Sequence, residues 1–582
     1  MFILPNIPSG SILGLNYSGM HESAIAIVAP DGTPVFAAAL ERFTRVKQDG
    51  RPPFVLMEQL PWNKISKVAI STEKNFVRPE FSESKLLPTR LQQVRADGLR
   101  HGKTFYDFLD QLPCEKEFVC HQFAHAASAF WGSGFDQALC LTYDSGMCNS
   151  PWFGGLYTAD RTNGIHPLDQ FSALHYAKVT SLYAFVTALI GFTPNKHEGK
   201  ICGLAAYGQP TETSRSLLRK WFEEDFQAIE SLMERAFVHE TIQLPLTQKA
   251  KIKPFRDAVN VFSKQELAAT VQEFAEQHVL ELLSKAQSLG WMSDNICLAG
   301  SLFANVKINQ RVVDAGFKLL FVAPPMTDDG SALGAAWHVL SRQSGFLPQP
   351  LHSMYLGPAY ARETVQQLLE TELVRFSMHT LPARKVAELL AAGAVVAVFQ
   401  GAMEFGPRAL GNRSILAQAT DISINCSLNS RLNRTEFMPF APISRIEDAE
   451  EYYLDIASVS HAAEFMTVTV NCTGRMKAAC PAVVHIDGTA RPQLIGEQNN
   501  PFVHSVLSHY KLLTGTLALV NTSFNIHEEP IVCSPQDALQ GFFESGLDYL
   551  YFGDGYLVSF AENKEVALKY RQNKLPTSGA LT

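Results

Sequence analysis

Two histidines, His121 and His125, lie four residues apart in VCHQFAHAASAF, an alanine-rich segment from Val119 to Phe130. The composition predicts a helix, on which both imidazoles leave the same face one turn apart. Asp144 follows an apolar segment that we predict to be a strand, so its carboxylate can reach the same point. Two imidazoles and a carboxylate suit a divalent transition metal with open positions. For the histidine pair alone, packing or capping explains the pattern equally simply.

A second carboxylate-bearing stretch lies much later in the chain. Asp328 and Asp329 precede Gly330 at the start of a predicted helix of small residues. Aspartates at this position commonly cap the helix, an interaction worth about 1 kcal/mol. The alternative is that Asp328 is a fourth metal ligand, supplied by a second lobe of the protein.

Two further segments have the composition of anion-binding sites. Three glycines alternate with Arg408 and Arg413 in Gly401–Ala417, which we predict to be a loop that binds oxyanions through its guanidinium groups. A predicted strand, a turn at Gly300 and a helix from Asn305 would aim a helix N-terminus at a phosphate or an adenosine group. Polar residues in other turns are expected to face the same pocket as the two arginines: Arg491, Asn521, Ser523 and Asn525.

Paired hairpins are the elements that must position these residues. Strands are predicted at Ser11–Asn16, Ser23–Val28 and Pro34–Ala39, and again at Gln137–Tyr143 and Trp152–Thr158, with polar or glycine-containing turns between them. Such a repeat indicates two related lobes, as in actin-like ATPase folds, although hairpins are common in unrelated proteins.

The rest of the chain is predicted to alternate helices and strands. A segment rich in proline and glycine, Ser341–Tyr360, is the expected linker, so we divide the chain into domains at 1–345 and 346–582. The further predicted helices are Thr213–Gln243, Lys264–Leu289 and Val386–Ala392. The further predicted strands are Asn295–Leu298, Lys318–Ala323, Ala394–Gln400, Met466–Val470, Ala482–Ile486, Leu517–Asn521 and Tyr549–Phe552.

Composition limits the class of protein. The 582 residues carry a net charge of −8, which argues against a large nucleic-acid surface. There is no run of about 18 apolar residues and no cationic leader, so neither a membrane span nor a signal peptide is expected. Ten cysteines without a CxxC pair are typical of the reduced thiols of a cytoplasmic enzyme.

Ten ordered motifs together resemble the NodU/CmcH family of O-carbamoyltransferases, whose members decorate antibiotics and nodulation factors. The motifs span nearly the whole chain: HESA (21–24), ERFTRVK (41–47), HQFAHAASAF (121–130), EGKICGLAAYG (198–208), AGSLFANVKINQ (299–310), DDGSALGAA (328–336), EFGPRALGNRSILA (404–417), MPFAPI (438–443), HIDGTARPQ (485–493) and NTSFNIHEEPIVCSPQDAL (521–539).

The resemblance implies a two-domain α/β enzyme. Its N-terminal domain would be a two-lobed actin-like ATPase fold of the threonylcarbamoyl-transferase type. Its C-terminal domain would be a YrdC-like α/β fold that makes carbamoyl-adenylate from carbamoyl phosphate and ATP, with Mg(II) accompanying the ATP. The first domain would then transfer the carbamoyl group to a hydroxyl of a small molecule, such as a natural product or sugar.

The resemblance also implies roles for individual residues. His121, His125, Asp144 and Asp328 would hold the metal, expected to be iron(II). His21 would be the base that takes the acceptor proton, a task for which an imidazole is suited, and Lys47 and Glu198 would line the transfer site. Carbamoyl phosphate and ATP would be bound by a set of polar residues: Arg408, Arg413, Arg491, Asn521 and Ser523.

The sequence departs from the family near the expected ATP pocket. Met438 stands where many members have arginine, so Arg431 or Arg434 is expected to replace the missing guanidinium group. Where family members usually have two consecutive glycines before the Asn305 segment, this chain has Ala299-Gly300.

The resemblance leaves the acceptor open. The alternative activity is a tRNA threonylcarbamoyl-type modification, which the acidic composition disfavours. The relatives suggest a homodimer, and we expect a cytoplasmic enzyme without nucleic-acid or membrane partners.

Overall fold

The structure is a computed structural model of the chain. It describes residues 2–17, 22–72, 105–144, 152–172, 178–236, 246–291, 293–343, 346, 348–434, 438–526 and 528–572. His21 lies outside these residues.

A five-stranded mixed sheet opens the chain, in the order β3-β2-β1-β4-β5. The antiparallel strands β1, β2 and β3 form one side, whereas β4 and β5 run parallel to β1. All residues of β1 and β2 are buried, which explains their continuous apolar sequences. The strands are β1 (Ser11–Asn16), β2 (Ala24–Val28), β3 (Pro34–Ala39), β4 (Ile65–Ile70) and β5 (Glu115–Phe118).

A second sheet repeats the plan of the first, in the order β10-β9-β6-β7-β8. Strand β7 is antiparallel to both β6 and β8, whereas β9 and β10 run parallel to β6. The predicted duplication is therefore confirmed, and the N-terminal half is a two-lobed α/β fold of the actin-like type. The strands are β6 (Gln137–Tyr143), β7 (Trp152–Asp160), β8 (Gly164–Ser172), β9 (Asn295–Ala299) and β10 (Leu319–Val322).

Twelve described helices surround and connect the two lobes. They are α1 (Leu40–Thr44), α2 (Phe54–Met57), α3 (Phe105–Asp110), α4 (His121–Ser133), α5 (Val179–Leu189), α6 (Glu198–Ala205), α7 (Glu212–Glu223), α8 (Phe226–Ala236), α9 (Leu246–Val259), α10 (Lys264–Ser288), α11 (Val306–Asp314) and α12 (Asp328–Leu340).

Helix α12 is buried between α4 and β1. A side-chain carbon at Gly334 would lie 1.8 Å from the carbonyl oxygen of Ala124, and one at Gly14 would lie 1.8 Å from that of Ala332. These distances are far below van der Waals contact, so glycine is required at both crossings. The small residues of both helices thus allow close backbone approach, as their sequences predict.

The C-terminal half is also α/β, built on an eight-stranded mixed sheet in the order β11-β20-β19-β12-β13-β18-β14-β17, with β15 and β16 forming a separate pair. The strands are β11 (Ser377–Met378), β12 (Val396–Phe399), β13 (Arg413–Gln418), β14 (Ala441–Arg445), β15 (Val470–Asn471), β16 (Thr489–Ala490), β17 (Gln493–Ile495), β18 (Ala518–Ser523), β19 (Tyr549–Phe552) and β20 (Tyr556–Ser559).

The helices of this half complete the layers around the sheet. They are α13 (Arg362–Thr371), α14 (Pro382–Ala391), α15 (Ser423–Arg431), α16 (Ala449–Tyr452), α17 (Ser460–Ala463), α18 (Gly474–Ala479), α19 (Pro501–Thr514), α20 (Pro535–Ser545) and α21 (Lys564–Gln572). No helix in the described parts of the chain is both long and apolar enough to cross a membrane.

Three secondary-structure predictions were wrong in the C-terminal half. The apolar segment Ala482–Ile486 is not a strand, because Pro481 starts a short 3-10 turn there. Only the last residue of the predicted Met466–Val470 strand belongs to a strand. The predicted loop Gly401–Ala417 ends early, since β13 begins at Arg413.

Two arginines, Arg42 of α1 and Arg45 directly after α1, contact the C-terminal half. Arg42 Nη2 donates to the carbonyl of Gly406 at 2.8 Å, and Arg45 donates to the carbonyls of Pro530 and Ile531 at 2.6 and 2.7 Å. A second connection joins Lys307 Nζ to the Asp487 carboxylate at 2.6 Å. These contacts hold the first lobe and α11 against loops of the C-terminal sheet.

Candidate functional site

The structure brings together the four predicted metal ligands. His121 and His125 occupy the first two turns of α4, Asp144 follows β6, and Asp328 is the first residue of α12. One ligand atom from each residue lies within 4.8 Å of the others. All four side chains are buried. The metal-ligand explanation of Asp328 is thereby favoured over capping, because the described N-cap of α12 is Thr327 and no side chain caps the helix.

The hydrogen bonds of His121 are compatible with a bound cation. Its Nδ1 lies 3.0 Å from the carbonyl oxygen of Ser71, which only accepts hydrogen bonds, so Nδ1 carries a proton. In the neutral imidazole, the Nε2 lone pair then faces Asp328 Oδ1 at 3.3 Å and His125 Nε2 at 3.1 Å. Acceptor atoms this close repel one another unless a positive charge, either a second proton on the imidazole or a metal ion, lies between them. Two imidazoles and two carboxylates fit a divalent transition metal.

The pKa shifts of the site follow from the same charges. Burial lowers the pKa of His121, but Asp328 and Asp144 outweigh burial and hold that pKa well above its usual range. Burial raises the pKa of Asp144, whereas hydrogen bonds and charge from His121 and His125 bring it well below its usual range. The pKa of Asp328 is also lowered, with burial and the Asp144 charge opposing the effect of the histidines.

Outer hydrogen bonds orient two of the ligands. The Ser301 hydroxyl donates to Asp144 Oδ1, and His121 Nδ1 donates to the Ser71 carbonyl oxygen at 3.0 Å. Gly300 places Ser301 there, because its φ is +102° and a side-chain carbon would lie 2.2 Å from the Tyr143 carbonyl oxygen. In the structure, Gly300 thus shapes the metal site.

A cavity of about 200 Å³ adjoins the metal ligands, and we call it the interdomain cavity. Thr327 and Asp329, the two neighbours of Asp328 in sequence, form part of its wall. Both halves of the chain line it: Glu22, Glu41, Arg42, Lys47, Thr327, Asp329, Pro407, Ser523, Asn525, Glu529 and Ile531.

Asp329 is a functional candidate to which sequence reasoning gave no role beyond capping. Its side chain is 7% exposed, and its Oδ1 has no hydrogen-bond partner among the described residues. Burial raises its pKa to about 8, with a further increase from Glu41 and Asp328 that Arg42 partly opposes. The DDG pair was the available signal, but only the fold shows that the two aspartates face different sites.

The two remaining predicted transfer-site residues lie in different places. Lys47 lines the interdomain cavity, where burial lowers its pKa and the nearby Glu41 and Glu528 oppose that effect. Glu198 does not line this cavity. Its Oε1 accepts a hydrogen bond from the Asn195 amide at 2.6 Å, and burial raises its pKa to about 7 against the effect of backbone hydrogen bonds.

Arg408 and Arg491 form the strongest candidate anion site. Burial and the charge of Arg491 lower the pKa of Arg408 to about 9, so the two guanidinium groups lie close together. Arg408 Nε is buried and has no hydrogen-bond partner among the described residues. Cys202 of α6 interacts with both arginines and with Lys307. Neighbouring half-buried cations are stabilised by a bound anion such as a phosphate.

Glu404 shapes the loop that carries Arg408. One carboxylate oxygen accepts hydrogen bonds from the backbone amides of Leu410, Asn412 and Arg413 at 2.8, 2.8 and 3.1 Å. These contacts show that Glu404 holds the loop in its folded shape.

The guanidinium group of Arg413 forms its hydrogen bonds within the protein. Its Nη atoms donate to the carbonyl oxygens of Pro358, Gln400, Gly401 and Asn412, and its guanidinium stacks on Phe399 with 3.7 Å to the ring centroid. The side chain is fully buried. The structure therefore gives Arg413 a structural role and does not support the predicted phosphate contact.

The two candidate replacements for the arginine absent at Met438 differ in position. Arg431 pairs with Asp548 at 3.2 Å on the protein surface. Arg434 donates to Ser523 and Asn525, both of which line the interdomain cavity. The position of Arg434 favours it over Arg431.

Two predicted binding residues, Asn305 and Asn521, have hydrogen-bond partners within the protein. Asn305 caps α11, accepting from the Lys307 and Ile308 amides at 3.2 and 3.3 Å. Asn521 donates to Gln493 Oε1 at 2.5 Å and to the Ala409 carbonyl at 3.2 Å. Asn305 is thus a helix cap, and Asn521 braces the Arg408 loop.

The chain is similar to family models and to solved structures. Family models described as carbamoyltransferase N-terminus and carbamoyltransferase C-terminus match residues 85–337 and 387–559. Among solved structures, full-length HypF in a phosphate- and nucleotide-bound form matches at 14% identity, covering 60% of this chain and 58% of that chain with a TM-score of 0.31.

Curated relatives match along most of their length. Nodulation protein NolNO of Sinorhizobium fredii is 30% identical over 94% of this chain and 80% of its own. Nodulation protein NolO of Bradyrhizobium diazoefficiens is 32% identical over 74% of this chain and 77% of its own. An uncharacterized protein of Methanocaldococcus jannaschii is 28% identical over 94% of this chain and 99% of its own. The chain belongs to the carbamoyltransferase family and is a carbamoyltransferase.

Proposed function

We propose that this enzyme is an ATP-dependent O-carbamoyltransferase that works in two steps. The C-terminal half uses carbamoyl phosphate and ATP, with Mg(II), to make carbamoyl-AMP. The N-terminal half transfers the carbamoyl group to a hydroxyl of a small molecule. The observation that carries the proposal is the interdomain cavity, which both halves line and which adjoins Asp328 of the metal site.

The first step must stabilise dense negative charge. Water converts carbamoyl phosphate to carbamate and phosphate, and a carbamate oxygen then attacks the α-phosphorus of ATP and displaces pyrophosphate. Arg408 and Arg491 are positioned as an anion-binding pair for this chemistry. Arg434, which contacts Ser523 and Asn525 beside the cavity, would bind phosphate oxygens near the point of transfer.

The second step needs an activated hydroxyl and a dry site. The acceptor oxygen attacks the carbamoyl carbon, the bond from that carbon to the AMP oxygen breaks, and the hydroxyl proton passes to a base. The family resemblance assigns that base to His21. A divalent metal on the four ligands, for which the resemblance favours iron(II), supplies a template and a Lewis acid. A site lying between the two halves would limit the contact of the labile anhydride with water.

The first step can be tested without knowing the acceptor. Incubation of the protein with carbamoyl phosphate and ATP should release pyrophosphate and phosphate, whereas a sugar kinase would release ADP. Arg491→Ala should reduce pyrophosphate release at least about tenfold, because a charged phosphate contact is lost, while the bound metal, measured by elemental analysis, is retained.

Arg384→Ala is the matched control. Arg384 is an exposed arginine of α14 that pairs only locally with Glu388, so its removal should leave pyrophosphate release unchanged. Unchanged release in Arg491→Ala would remove Arg491 from the first-step pocket. Release of ADP by the wild-type protein, without pyrophosphate, would overturn the proposed reaction.

A further inference from the structure

Ser71 contacts both helices that carry metal ligands. It directly follows β4 of the first sheet, and its carbonyl oxygen accepts the hydrogen bond from His121 Nδ1 of α4 at 3.0 Å. Its hydroxyl accepts a hydrogen bond from the Ser331 hydroxyl of α12 at 2.7 Å. Both serine side chains are fully buried. The four metal ligands come from α4, α12 and the residue after β6, so Ser71 connects the first sheet to a site that other elements form.

A buried chain of hydrogen bonds continues from Ser71 into the first lobe. The Ser71 hydroxyl donates to Asn16 Oδ1 at 3.2 Å, with the Leu15 carbonyl oxygen at 3.4 Å, and Asn16 Nδ2 donates to the Glu22 carbonyl oxygen at 2.5 Å. Asn16 is fully buried at the end of β1, next to the apolar core that contains Leu15. Polar groups in such a core must be hydrogen-bonded, and a satisfied network is rigid. Because Glu22 lines the interdomain cavity, the chain runs from α12 to the cavity wall.

His121 is the imidazole on which this arrangement acts. A metal-binding histidine usually donates through its other ring nitrogen to an outer partner, which fixes the orientation of the ring. His125 Nδ1 is buried and meets no acceptor among the described residues, whereas His121 Nδ1 meets the Ser71 carbonyl oxygen. The orientation of the histidine pair therefore depends on where the backbone of Ser71 is held.

We propose that Ser71 is a positioning residue of the metal site, whose hydroxyl fixes the carbonyl group that orients His121 and holds α4 in place against α12. The inference rests on the metal of the proposed function and adds a determinant of metal affinity outside the four ligands. It does not depend on the identity of the acceptor.

Ser71→Ala tests the role of the hydroxyl, because alanine keeps the carbonyl group that His121 uses. Co(II) is the probe, since its visible absorption reports coordination geometry. Its affinity for the full-length, metal-free protein is measured by titration against a competing chelator. We expect Ser71→Ala to bind Co(II) at least about tenfold more weakly than wild type, as for loss of an outer partner, with a changed absorption spectrum. Wild-type affinity in a folded Ser71→Ala protein would overturn the inference, because the pairing of the Ser71 amide with the Leu15 carbonyl at 3.0 Å would then suffice.

Ser444→Ala is the matched control. Ser444 is a fully buried serine of β14 whose hydroxyl lies 2.8 Å from the Tyr453 hydroxyl, so its removal also costs a buried hydrogen bond. Both alanine variants should melt at a lower temperature than wild type, but Ser444→Ala should keep wild-type Co(II) affinity. An equal loss of affinity in the two variants would overturn the role of Ser71, because general destabilisation would explain it.

Ser331→Ala tests the same contact from α12, where alanine suits the helix. It should also lower Co(II) affinity, and wild-type affinity in this variant would overturn the inference even if Ser71→Ala failed to fold. The Ser331 hydroxyl also lies 2.7 Å from the Asp328 carbonyl oxygen of the same helix, so the double variant isolates its contact with Ser71. If the two hydroxyls act together, Ser71→Ala/Ser331→Ala should bind Co(II) within about twofold of the weaker single variant. Losses that multiply would contradict the positioning role.

Measurements on the wild-type protein separate this inference from the proposed function. If Co(II) binds but carbamoyl phosphate and ATP yield no pyrophosphate, the proposed reaction fails and the comparison of the serine variants stands. If pyrophosphate is released but Ser71→Ala binds Co(II) as wild type does, the reaction stands and the positioning role is wrong. Failure of the wild-type protein to bind Co(II) would overturn both the metal site and its positioning.

Discussion

At the residue scale, identical side chains have different tasks according to their surroundings. Arg408 and Arg413 lie in one motif, yet the guanidinium of Arg413 donates to four backbone carbonyl groups, whereas Arg408 Nε meets no acceptor in the part of the chain that the structure describes. Asp328 and Asp329 are consecutive, yet one faces the histidines and the other lines the interdomain cavity. A motif can therefore identify the region of a site without assigning the role of each member.

Glu198 gives a pH-dependent prediction at this scale. Burial raises its pKa to about 7 in the folded protein, from 4.5 for an ordinary glutamate. Because the folded pKa is the higher one, the contribution of Glu198 to stability is full below pH 4.5 and is lost as the pH rises through 7. The loss is at most about 3 kcal/mol. Glu198→Gln should therefore be more stable than wild type at pH 8 but not at pH 4.5, as measured by calorimetric unfolding.

Glu58→Gln serves as the control for this prediction, because Glu58 is an exposed glutamate at the end of α2. Its stability relative to wild type should change little between the same two pH values. A parallel response of Glu198→Gln and Glu58→Gln would show that Glu198 does not titrate near neutral pH in the folded protein.

At the element scale, the metal site depends on two helices that pack unusually close together. Helix α4 carries both histidines, and α12 begins with Asp328. Gly334 lies against the backbone of Ala124, so the separation of the helix axes is set by the absence of a side chain at position 334. The geometry of the ligands is thus a consequence of helix packing two turns away.

Gly334→Ala should disturb both stability and metal binding. The added carbon would lie 1.8 Å from the Ala124 carbonyl oxygen, so α12 must move, which we expect to cost about 1–3 kcal/mol despite the better helix propensity of alanine. Moving Asp328 away from the histidines should also lower metal content, measured by elemental analysis after dialysis.

The matched variant is Gly474→Ala in α18, where an added carbon meets nothing within 4 Å. It should keep wild-type stability and metal content. Retention of both properties by Gly334→Ala would show that the helices tolerate a wider separation than their packing indicates.

At the scale of the whole molecule, the two halves both line the interdomain cavity and are joined by Arg42 of α1 and by Arg45, which follows it. Arg42 is 6% exposed, and its donation to Gly406 connects the first lobe to the residue before Pro407 and Arg408. Because a two-step reaction requires the intermediate to reach the second site, the position of one half against the other is part of the chemistry.

Arg42→Met tests this connection by keeping the length of the side chain while removing its donors. Loss of a charged hydrogen bond in a buried interface should lower the free energy of unfolding by about 1.5–3 kcal/mol. We expect calorimetry to show that the unfolding transitions of the two halves separate. Arg384→Met, at the exposed site on α14, should leave the unfolding profile unchanged. A wild-type profile for Arg42→Met would show that other contacts suffice to join the halves.

Local sequence pattern was sufficient for much of this protein. Apolar segments separated by turn residues predicted the strands β1, β2, β3, β6 and β7. The repetition of this pattern predicted the two lobes. Both predictions were possible because apolar runs and turn residues are local properties of the sequence. The spacing of His121 and His125 predicted a shared helix face for the same reason. The strand predicted at Ala482–Ile486 was wrong because Pro481 begins a short 3-10 turn there.

Only the tertiary structure decided which polar groups meet. The 183 residues between Asp144 and Asp328 carry no local signal of their contact. The order of the second sheet and the packing of α12 on α4 produce that contact. Likewise, Arg413 donates to carbonyl groups and Asp329 Oδ1 lacks a donor among the described residues because of the backbone segments that fold next to them. Sequence determined the chemical groups and their local elements, because these follow from neighbours along the chain. Burial and hydrogen-bond satisfaction, which separate a binding group from a structural one, arise only between distant segments.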